Sequence, residues 1–335
     1  MTTGDDGALH KPPEPKNMRP MPPSNPPSRR EFLGTSAAVT AAATLLVASQ
    51  PRAAAAPAPA PERARRPYTK AIMFGMLQMK GSLLDKFKAL KECGFDGVEL
   101  DAPGQYKAEE VAEACKQSGI EVEGCVDVFH WSVNLADPDA KIRAAAVEHL
   151  RGALRDCKAF GGTSVLLVPC IVNSRVGYDD AWKRSQEEIR KAIPTAEETG
   201  VKIAIENVWN WFLLSPLEAA RYVDAFESPS VGWHMDIGNV LNIGWPEQWI
   251  RILGKRILKL HIKEYSRKKR DAEGMAKGFG VDLLEGDNDW PAIMKALDDC
   301  GYSTGSTAWA CAEVGGGGPD RMKVVSEKME RILRS

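Results

Sequence analysis

From Tyr68 onward, short runs of β-branched and aliphatic residues alternate with stretches in which apolar residues recur every three or four positions. The short runs are typical of buried parallel strands, and the longer stretches are typical of amphipathic helices. We predict strands at residues 71–77, 97–100, 121–128, 164–168, 201–206, 232–236, 257–262 and 309–314. Eight such units predict an α/β fold, a single-domain (β/α)8 TIM barrel over residues 68–335.

An open, doubly wound sheet is the alternative architecture, because the number of strands alone does not show closure. That fold would need a Gly-rich phosphate loop after the first strand, and residues 74–78 (FGMLQ) contain none. The glycine run at residues 315–318 follows the last strand and is too late for that role. Helices are predicted to open at Asp137, Ser215 and Trp245, each an N-cap followed by proline.

Residues 1–67 have the composition of a targeting segment and not of a packed domain. Residues 11–27 are dominated by Pro, with Asn and Ser, which favours disorder. Arg29 and Arg30, an apolar run to residue 48 and small residues near Ala55 resemble a twin-arginine signal peptide cleaved near Ala55. The apolar run is shorter than the roughly 20 residues that span a bilayer. Residues 57–67 then form a predicted linker, and we expect an exported protein, periplasmic or otherwise extracytoplasmic.

Charge and cysteine content exclude several other classes of protein. The formal net charge is −1, which gives no general electrostatic reason to bind nucleic acid or an anionic membrane. The seven cysteines are scattered without a C-x-x-C pair, which argues against a zinc ribbon and against a disulfide framework.

Four polar residues end successive predicted strands: Glu206, Asp236, His261 and Glu313. The carboxyl ends of barrel strands form the face on which TIM-barrel chemistry occurs. Three carboxylates and one imidazole that converge there repel one another without a cation. Ligation that is rich in oxygen with one histidine suits a single divalent metal, and we expect Mn²⁺, with Mg²⁺, Co²⁺ or Zn²⁺ as alternatives.

The order of five motifs resembles the xylose isomerase-like barrels, which include sugar isomerases and epimerases related to tagatose and psicose epimerases. The motifs are residues 94–100 (GFDGVEL), 205–207 (IEN), 235–239 (MDIGN), 261–265 (HIKEY) and 284–290 (LEGDNDW). The resemblance implies that Glu206 and Glu313 are both metal ligands and the proton-transfer pair. A metal on the substrate carbonyl and the adjacent hydroxyl would stabilise an enediolate while one glutamate removes a proton and the other returns it.

The resemblance also implies substrate contacts by Glu99 and Arg267. Two positions depart from the family: Asn239 stands where a histidine is common, and Phe212 stands where some epimerases have a glutamate. Further substrate-binding candidates that follow strand ends are Lys263, His130, Asn239 and Trp209. Trp131, Trp211 and Trp233 are aromatic neighbours of the strand ends, and His234 is predicted to be a buried, hydrogen-bonded histidine below Asp236.

The sequence leads to one principal functional hypothesis and two alternatives. The principal hypothesis is a metal-dependent sugar isomerase or epimerase that works through an enediolate. The first alternative is a metal-dependent lyase that eliminates the aglycone of a 3-keto-glycoside, and the second is a noncatalytic sugar-binding barrel. Expected partners are a sugar and, during export, the twin-arginine translocase. We expect no nucleic acid and no stable membrane span after cleavage, and a homo-oligomer is left open.

Overall fold

A computed structural model describes residues 65–302 and 308–335, which belong to one compact unit. Its eight parallel strands pair in sequence order and form a closed barrel. They are β1 (Thr69–Met73), β2 (Gly97–Ala102), β3 (Glu121–Asp127), β4 (Ser164–Leu167), β5 (Lys202–Glu206), β6 (Val231–Asp236), β7 (Ile257–Ile262) and β8 (Trp309–Ala312). The predicted tail, the signal peptide and the cleavage site near Ala55 lie outside the described residues.

Helices connect the strands and cover the outside of the barrel. They are α1 (Leu83–Glu92), α2 (Ala108–Ser118), α3 (Ala140–Phe160), α4 (Tyr178–Thr199), α5 (Pro216–Asp224), α6 (Ile237–Leu241), α7 (Pro246–Leu253), α8 (Arg267–Glu273), α9 (Trp290–Asp299) and α10 (Pro319–Leu333). Across residues 65–302 and 308–335, none of these helices combines the length and the apolar character that crossing a bilayer requires.

Closure of the sheet between β1 and β8 decides between the two predicted architectures. Four residue pairs join these strands in parallel register, from Thr69 with Trp309 to Ile72 with Ala312. The TIM barrel is therefore confirmed, and the open doubly wound sheet is wrong. The barrel interior is close-packed at this point: a Cβ atom on Gly97 would lie 2.5 Å from the Trp309 ring, so only glycine fits there.

Local hydrogen bonds set the ends of the elements and correct three predicted boundaries. Strand β1 ends at Met73, because residues 74–76 form a 3-10 turn. Strand β8 ends at Ala312, so Glu313 is the first residue beyond it. Helix α3 begins after Asp139, whose carboxylate accepts the Lys141 N–H, and not after Asp137. The predicted caps Ser215 and Trp245, each followed by proline, are confirmed.

The core has an apolar layer between strands and helices and a more polar layer inside the barrel. Along β7 the inward-facing side chains are Lys259, His261 and, just past the strand, Lys263. Lys259 forms a buried ion pair with Glu123 of β3. A buried ion pair requires both partners, since removal of one leaves an uncompensated charge. At this level of the barrel, Lys259 and Glu123 therefore neutralise each other.

The packed part of the chain begins earlier than the predicted linker boundary at residue 67. Arg66 donates to Asp298 (2.7 Å) and to the Ser335 carbonyl (2.6 Å), and Arg65 donates to Glu330 (2.9 Å). These bonds connect the start of the barrel to α10 and to the C-terminus.

Candidate metal centre

The four predicted ligands lie at or next to the carboxyl ends of β5, β6, β7 and β8 and come together at that end of the barrel. One ligand atom from each of Glu206, Asp236, His261 and Glu313 lies within 4.8 Å of the others. His261 Nδ1 is 3.3 Å from Glu206 Oε1, 3.1 Å from Glu313 Oε2 and 3.9 Å from Asp236 Oδ2. The pairing of Asp236 with His261 in the β6–β7 register fixes their relative height.

Two asparagines hold the ends of β5 and β6 together beside this cluster. Asn207 donates to the Asp236 carbonyl (2.8 Å) and accepts from the Asp236 N–H (3.1 Å) and from the Trp233 indole (3.1 Å). Asn239 donates through its side chain to the Asn207 carbonyl (2.9 Å) and through its backbone to Asp236 Oδ1 (2.7 Å). Asn207 was not among the predicted site residues, and this network fixes the direction of the Asp236 carboxylate.

Glu99 orients His261 from below the cluster. Its Oε2 atom lies 2.9 Å from His261 Nε2, which leaves Nδ1 facing the three carboxylates. Glu99, which was predicted to lie near the substrate, is 3% exposed and is not among the residues that line the cavity above the cluster. The physical reason is depth: Glu99 lies within β2, while the other acids are at strand ends. A hydrogen bond to the second ring nitrogen is the usual way in which a ligating histidine is oriented.

His234 is buried as predicted, but the predicted hydrogen bonding is wrong. Neither ring nitrogen has a hydrogen-bond partner among the described residues. The ring packs edge-on against His261, with 4.1 Å between the ring centroids. His234 therefore supports His261 by packing.

Lys263 places a positive charge on the rim of the cluster. Its ammonium donates to Glu313 Oε1 (2.7 Å) and lies 3.3 Å from Asp236 Oδ2. Burial opposes this charge, but Asp236, Glu313 and Glu206 outweigh it and raise the pKa of Lys263. The ammonium also stands over the Phe279 ring at 4.7 Å. The Lys263 side chain is therefore protonated, and its ammonium is held toward Glu313 and Asp236.

The surroundings shift the pKa values of the three carboxylates in different directions. Burial raises the pKa of Glu206, and it raises the pKa of Asp236 well above its usual value. Burial would also raise the pKa of Glu313, but Lys263 and His261 outweigh it and hold that pKa well below its usual value. Three carboxylates this close together, two of them buried and Glu313 partly exposed, favour a nearby cation.

The donor set fits a divalent cation. Oδ2 of Asp236 is buried and accepts no hydrogen bond within the described part of the chain, although Oδ1 of the same carboxylate is bonded. That oxygen faces the cluster, 3.9 Å from His261 Nδ1 and 3.3 Å from the Lys263 ammonium. Three carboxylates and one imidazole are ligands that Mn²⁺, Mg²⁺, Co²⁺ and Zn²⁺ accept.

A cavity of about 250 Å³, here called the central cavity, opens above the cluster. It brings together three of the four clustered residues and most of the predicted substrate-binding residues: Glu206, His261, Glu313, Lys263, His130, Asn239 and Trp209. Phe279, which no sequence pattern indicated, also lines it and packs against Trp209 with 4.8 Å between the ring centroids. Carboxylates beside aromatic faces suit a ligand that has both hydroxyl groups and apolar C–H faces.

Arg267 does not reach the central cavity, in contrast to the predicted substrate contact. Its guanidinium donates to the carbonyls of Leu241 (2.9 Å) and Gly244 (2.6 Å) and stands over the Trp245 ring at 4.9 Å. The carbonyls at the end of α6 lack helical partners, and Arg267 supplies donors to them. Among the tryptophans, Trp131 lines the cavity, Trp211 is exposed outside it, and Trp233 is buried.

His130 makes the stability of the barrel depend on pH. Burial lowers its pKa from 6.5 to about 3, and Nδ1 accepts the Val168 N–H at 3.2 Å. Between these values the unfolded chain binds a proton that the folded protein does not, so stability falls as the pH decreases, by about 1.4 kcal/mol per pH unit. In urea titrations with EDTA, we expect the wild type to lose about 2 kcal/mol more than His130→Asn between pH 7 and pH 5.

Asparagine keeps an acceptor near the position of Nδ1 but does not titrate. Equal losses in the two proteins over this pH range would contradict the assignment to His130.

The comparisons with known proteins agree with this architecture. A family model described as xylose isomerase-like TIM barrel matches residues 87–334, and a model of the twin-arginine translocation signal sequence matches residues 26–45. A 2-epi-5-epi-valiolone 7-phosphate 2-epimerase from an Actinoplanes species is 27% identical over 161 residues. That alignment spans 47% of this chain and 58% of the epimerase, so it covers little more than half of that relative.

Similar solved structures include a D-tagatose 3-epimerase-like protein, with a TM-score of 0.65 at 17% identity over 79% of this chain and 96% of that one. The E. coli 3-keto-D-glucoside 4-epimerase has a TM-score of 0.64 at 17% identity, with 79% and 98% of the two chains covered. The IOLI protein, which was solved with a zinc atom bound, has a TM-score of 0.62 at 18% identity, with 79% and 98% covered. At these identities the likeness shows the fold.

The family match extends from α1 to α10 and includes all four strands that carry the cluster. It covers well over half of the chain, and the signal match covers the predicted twin-arginine motif. The chain therefore belongs to the xylose isomerase-like TIM barrel family and carries a twin-arginine signal sequence.

Proposed function

We propose that the chain is an exported, metal-dependent sugar isomerase or epimerase in which Glu206 and Glu313 form the acid/base pair. The observation that carries the proposal is their placement: Glu206 ends β5, Glu313 directly follows β8, and both line the same cavity beside His261. Two carboxylates that reach one cavity from different strands can contact two sides of a bound sugar. The epimerases among the similar proteins support the same class of reaction.

Glu206, Asp236, His261 and Glu313 would hold the divalent metal, for which we propose Mn²⁺. When bound, such an ion supplies Lewis-acid polarisation of a carbonyl oxygen and a template for the adjacent hydroxyl. Zn²⁺ is the alternative that the zinc-bound IOLI structure favours. Glu99, through its contact with His261 Nε2, would keep the Nδ1 lone pair directed toward the ion.

The proton transfers are assigned to the two glutamates. One carboxylate removes the proton from the carbon next to the substrate carbonyl, and the other returns a proton to the neighbouring carbon or to the opposite face. The first outcome is isomerisation and the second is epimerisation. Lys263, which donates to Glu313 and lines the central cavity, would offer a positive charge to the negative charge that develops on the substrate. Trp209 and Phe279 would exclude water and pack against the sugar C–H face.

We propose that residues 1–67 are the export segment and that residues 68–335 are the barrel domain that acts outside the cytoplasm. The twin-arginine signal match supports export, and cleavage near Ala55 would release the barrel. The twin-arginine route exports folded proteins, so the metal could be loaded before export. Export argues for a free or oxidised sugar as the substrate.

The test is hydrogen exchange with solvent. The Mn²⁺-loaded protein is incubated in D₂O with a panel of ketoses and with 3-keto-D-glucose and 4-nitrophenyl 3-keto-β-D-glucoside, and the products are analysed by NMR. We expect deuterium at a carbon next to the carbonyl, together with an isomer or epimer. Release of nitrophenol would instead indicate the lyase. Saturable binding without exchange for every sugar would indicate a binding protein and overturn the proposed function.

A further inference from the structure

A second cavity of about 250 Å³, here called the flanking cavity, adjoins the central cavity on the side of β7, β8 and β1. Lys263, Phe279 and Glu313 line both cavities, which makes the two spaces neighbours across these three side chains. Any ligand whose reacting atoms lie at Glu313 therefore has a second space directly beside it.

The walls of the flanking cavity suit an apolar group. Met76, Val281 and Val314 contribute apolar side chains, and Phe279 contributes an aromatic ring. Two acidic residues line the flanking cavity: Glu313, which also lines the central cavity, and Glu264, which does not. The Glu264 carboxylate is already occupied, because it accepts from the Leu284 N–H (2.9 Å) and from the Trp290 indole (3.0 Å).

The charged side chains in these walls carry more negative than positive charge. The Lys263 ammonium is paired with Glu313 and Asp236, and two carboxylates lie in the walls. A phosphate would therefore meet like charge on Glu264 and Glu313. An uncharged apolar group does not meet this cost.

The size of the two spaces points to a ligand in two parts. Sites for drug-sized ligands enclose about 300–1,000 Å³. The central cavity, at about 250 Å³, is below that range and suits one sugar ring, whereas the two cavities together lie within it. A free monosaccharide would leave the flanking cavity without a role in recognition.

We propose that the substrate is a glycoside whose sugar ring occupies the central cavity and whose apolar aglycone occupies the flanking cavity. This inference rests on the proposed function, since it takes the central cavity as the place where the sugar reacts. It adds a specificity site formed by Met76, Val281, Val314 and Gly315.

Gly315 offers a way to fill the flanking cavity without disturbing the metal cluster. A Cβ atom there would meet no heavy atom within 4 Å, and its φ angle lies outside the left-handed region. Gly315→Leu should therefore fold normally and occupy part of the cavity. Gly75→Leu is the matched control, because Gly75 has the same open surroundings and lines neither cavity.

Binding is measured by stopped-flow tryptophan fluorescence, since Trp131 and Trp209 line the central cavity. The ligands are 4-nitrophenyl 3-keto-β-D-glucoside, 3-keto-D-glucose and 3-keto-D-glucose 6-phosphate. We expect the glycoside to bind at least tenfold more tightly than the free sugar, a difference of about 1.4 kcal/mol. Gly315→Leu should remove that advantage and change the Kd of the free sugar by less than twofold, while Gly75→Leu should change neither.

Equal Kd values for glycoside and free sugar, tightest binding of the phosphate, or no binding of any ligand would each overturn the inference. A Gly315→Leu variant that weakens both sugars equally would also overturn it. The outcome is separable from that of the exchange test. Tight glycoside binding without deuterium exchange would support the binding of a glycoside across the two cavities and contradict the proposed function. Exchange of the free sugar with equal Kd values would support the proposed function and contradict the glycoside site.

Discussion

Replacement of Glu206 or Glu313 by glutamine is expected to lower the rate of deuterium exchange into the substrate by about 10²–10⁴-fold, the usual contribution of a general acid or base. An amide neither accepts nor donates a proton under these conditions, and its oxygen is a weaker metal ligand than a carboxylate, so the variants are assayed with excess Mn²⁺ and compared at equal metal content. The loss should therefore appear in kcat and not in sugar binding. The rate is measured by NMR in D₂O at saturating ketose.

The control for this chemical change is Glu218→Gln. Glu218 is half-buried at the start of α5, accepts the Tyr178 hydroxyl at 3.0 Å and does not line the central cavity. The Glu218→Gln variant should catalyse deuterium exchange into the substrate at the wild-type rate. Metal content by elemental analysis and the sugar Kd by fluorescence are measured for all three variants. Exchange within threefold of wild type in a metal-loaded Glu206→Gln or Glu313→Gln variant would exclude that residue from proton transfer.

The barrel was predictable because its signals are periodic and local. Inward-facing and outward-facing residues alternate along each strand, so the pattern shows which side chains enter the barrel. The end of an apolar run shows which of them lie at the carboxyl face, and this is why Glu206, Asp236 and His261 could be named. Glu313 lies one residue past β8, but it still follows the apolar run of that strand.

Depth in the barrel and the positions of loops were not predictable, because they depend on register and on tertiary hydrogen bonds. The β2–β3 register shifts between Val98 and Glu99, and sequence spacing does not reveal such a shift. Arg267 follows β7, but its guanidinium donates to carbonyls at the end of α6, which follows β6. Sequence spacing does not reveal such a contact between two loops. Phe279 reaches the cavity from a 3-10 turn whose place is set by packing against Tyr265 and Trp209.

Asp236→Asn is expected to abolish the stabilisation of the barrel by divalent metal. For the wild type, Mn²⁺ at a hundred times its Kd should contribute about 2.7 kcal/mol. At about 2–4 °C per kcal/mol for a domain of this size, Tm should rise by about 5–10 °C. The variant should show a rise of less than 2 °C, because a neutral amide is a much weaker ligand. The measurement is calorimetry with EDTA and with added Mn²⁺.

The Asp236→Asn variant should remain folded without metal, because the hydrogen bonds and the ion pair around residue 236 are largely kept. Asparagine keeps the oxygen that accepts the Asn239 N–H at 2.7 Å, and Lys263 keeps Glu313 as a partner. Since burial already disfavours the ionised form and raises the pKa of Asp236, loss of its charge costs the metal-free protein little. The Tm in EDTA should therefore stay within a few degrees of the wild-type value.

Asp127→Asn is the matched control, because Asp127 ends β3 as Asp236 ends β6. It is buried, it accepts a backbone N–H from Phe129 at 3.0 Å, and burial raises its pKa to about 6. It lies outside the group of residues whose ligand atoms converge. Its variant should keep the full metal-dependent rise in Tm. An equal rise in Asp236→Asn would show that the cation binds elsewhere and would remove the physical basis for assigning the four strand-end residues to one metal centre.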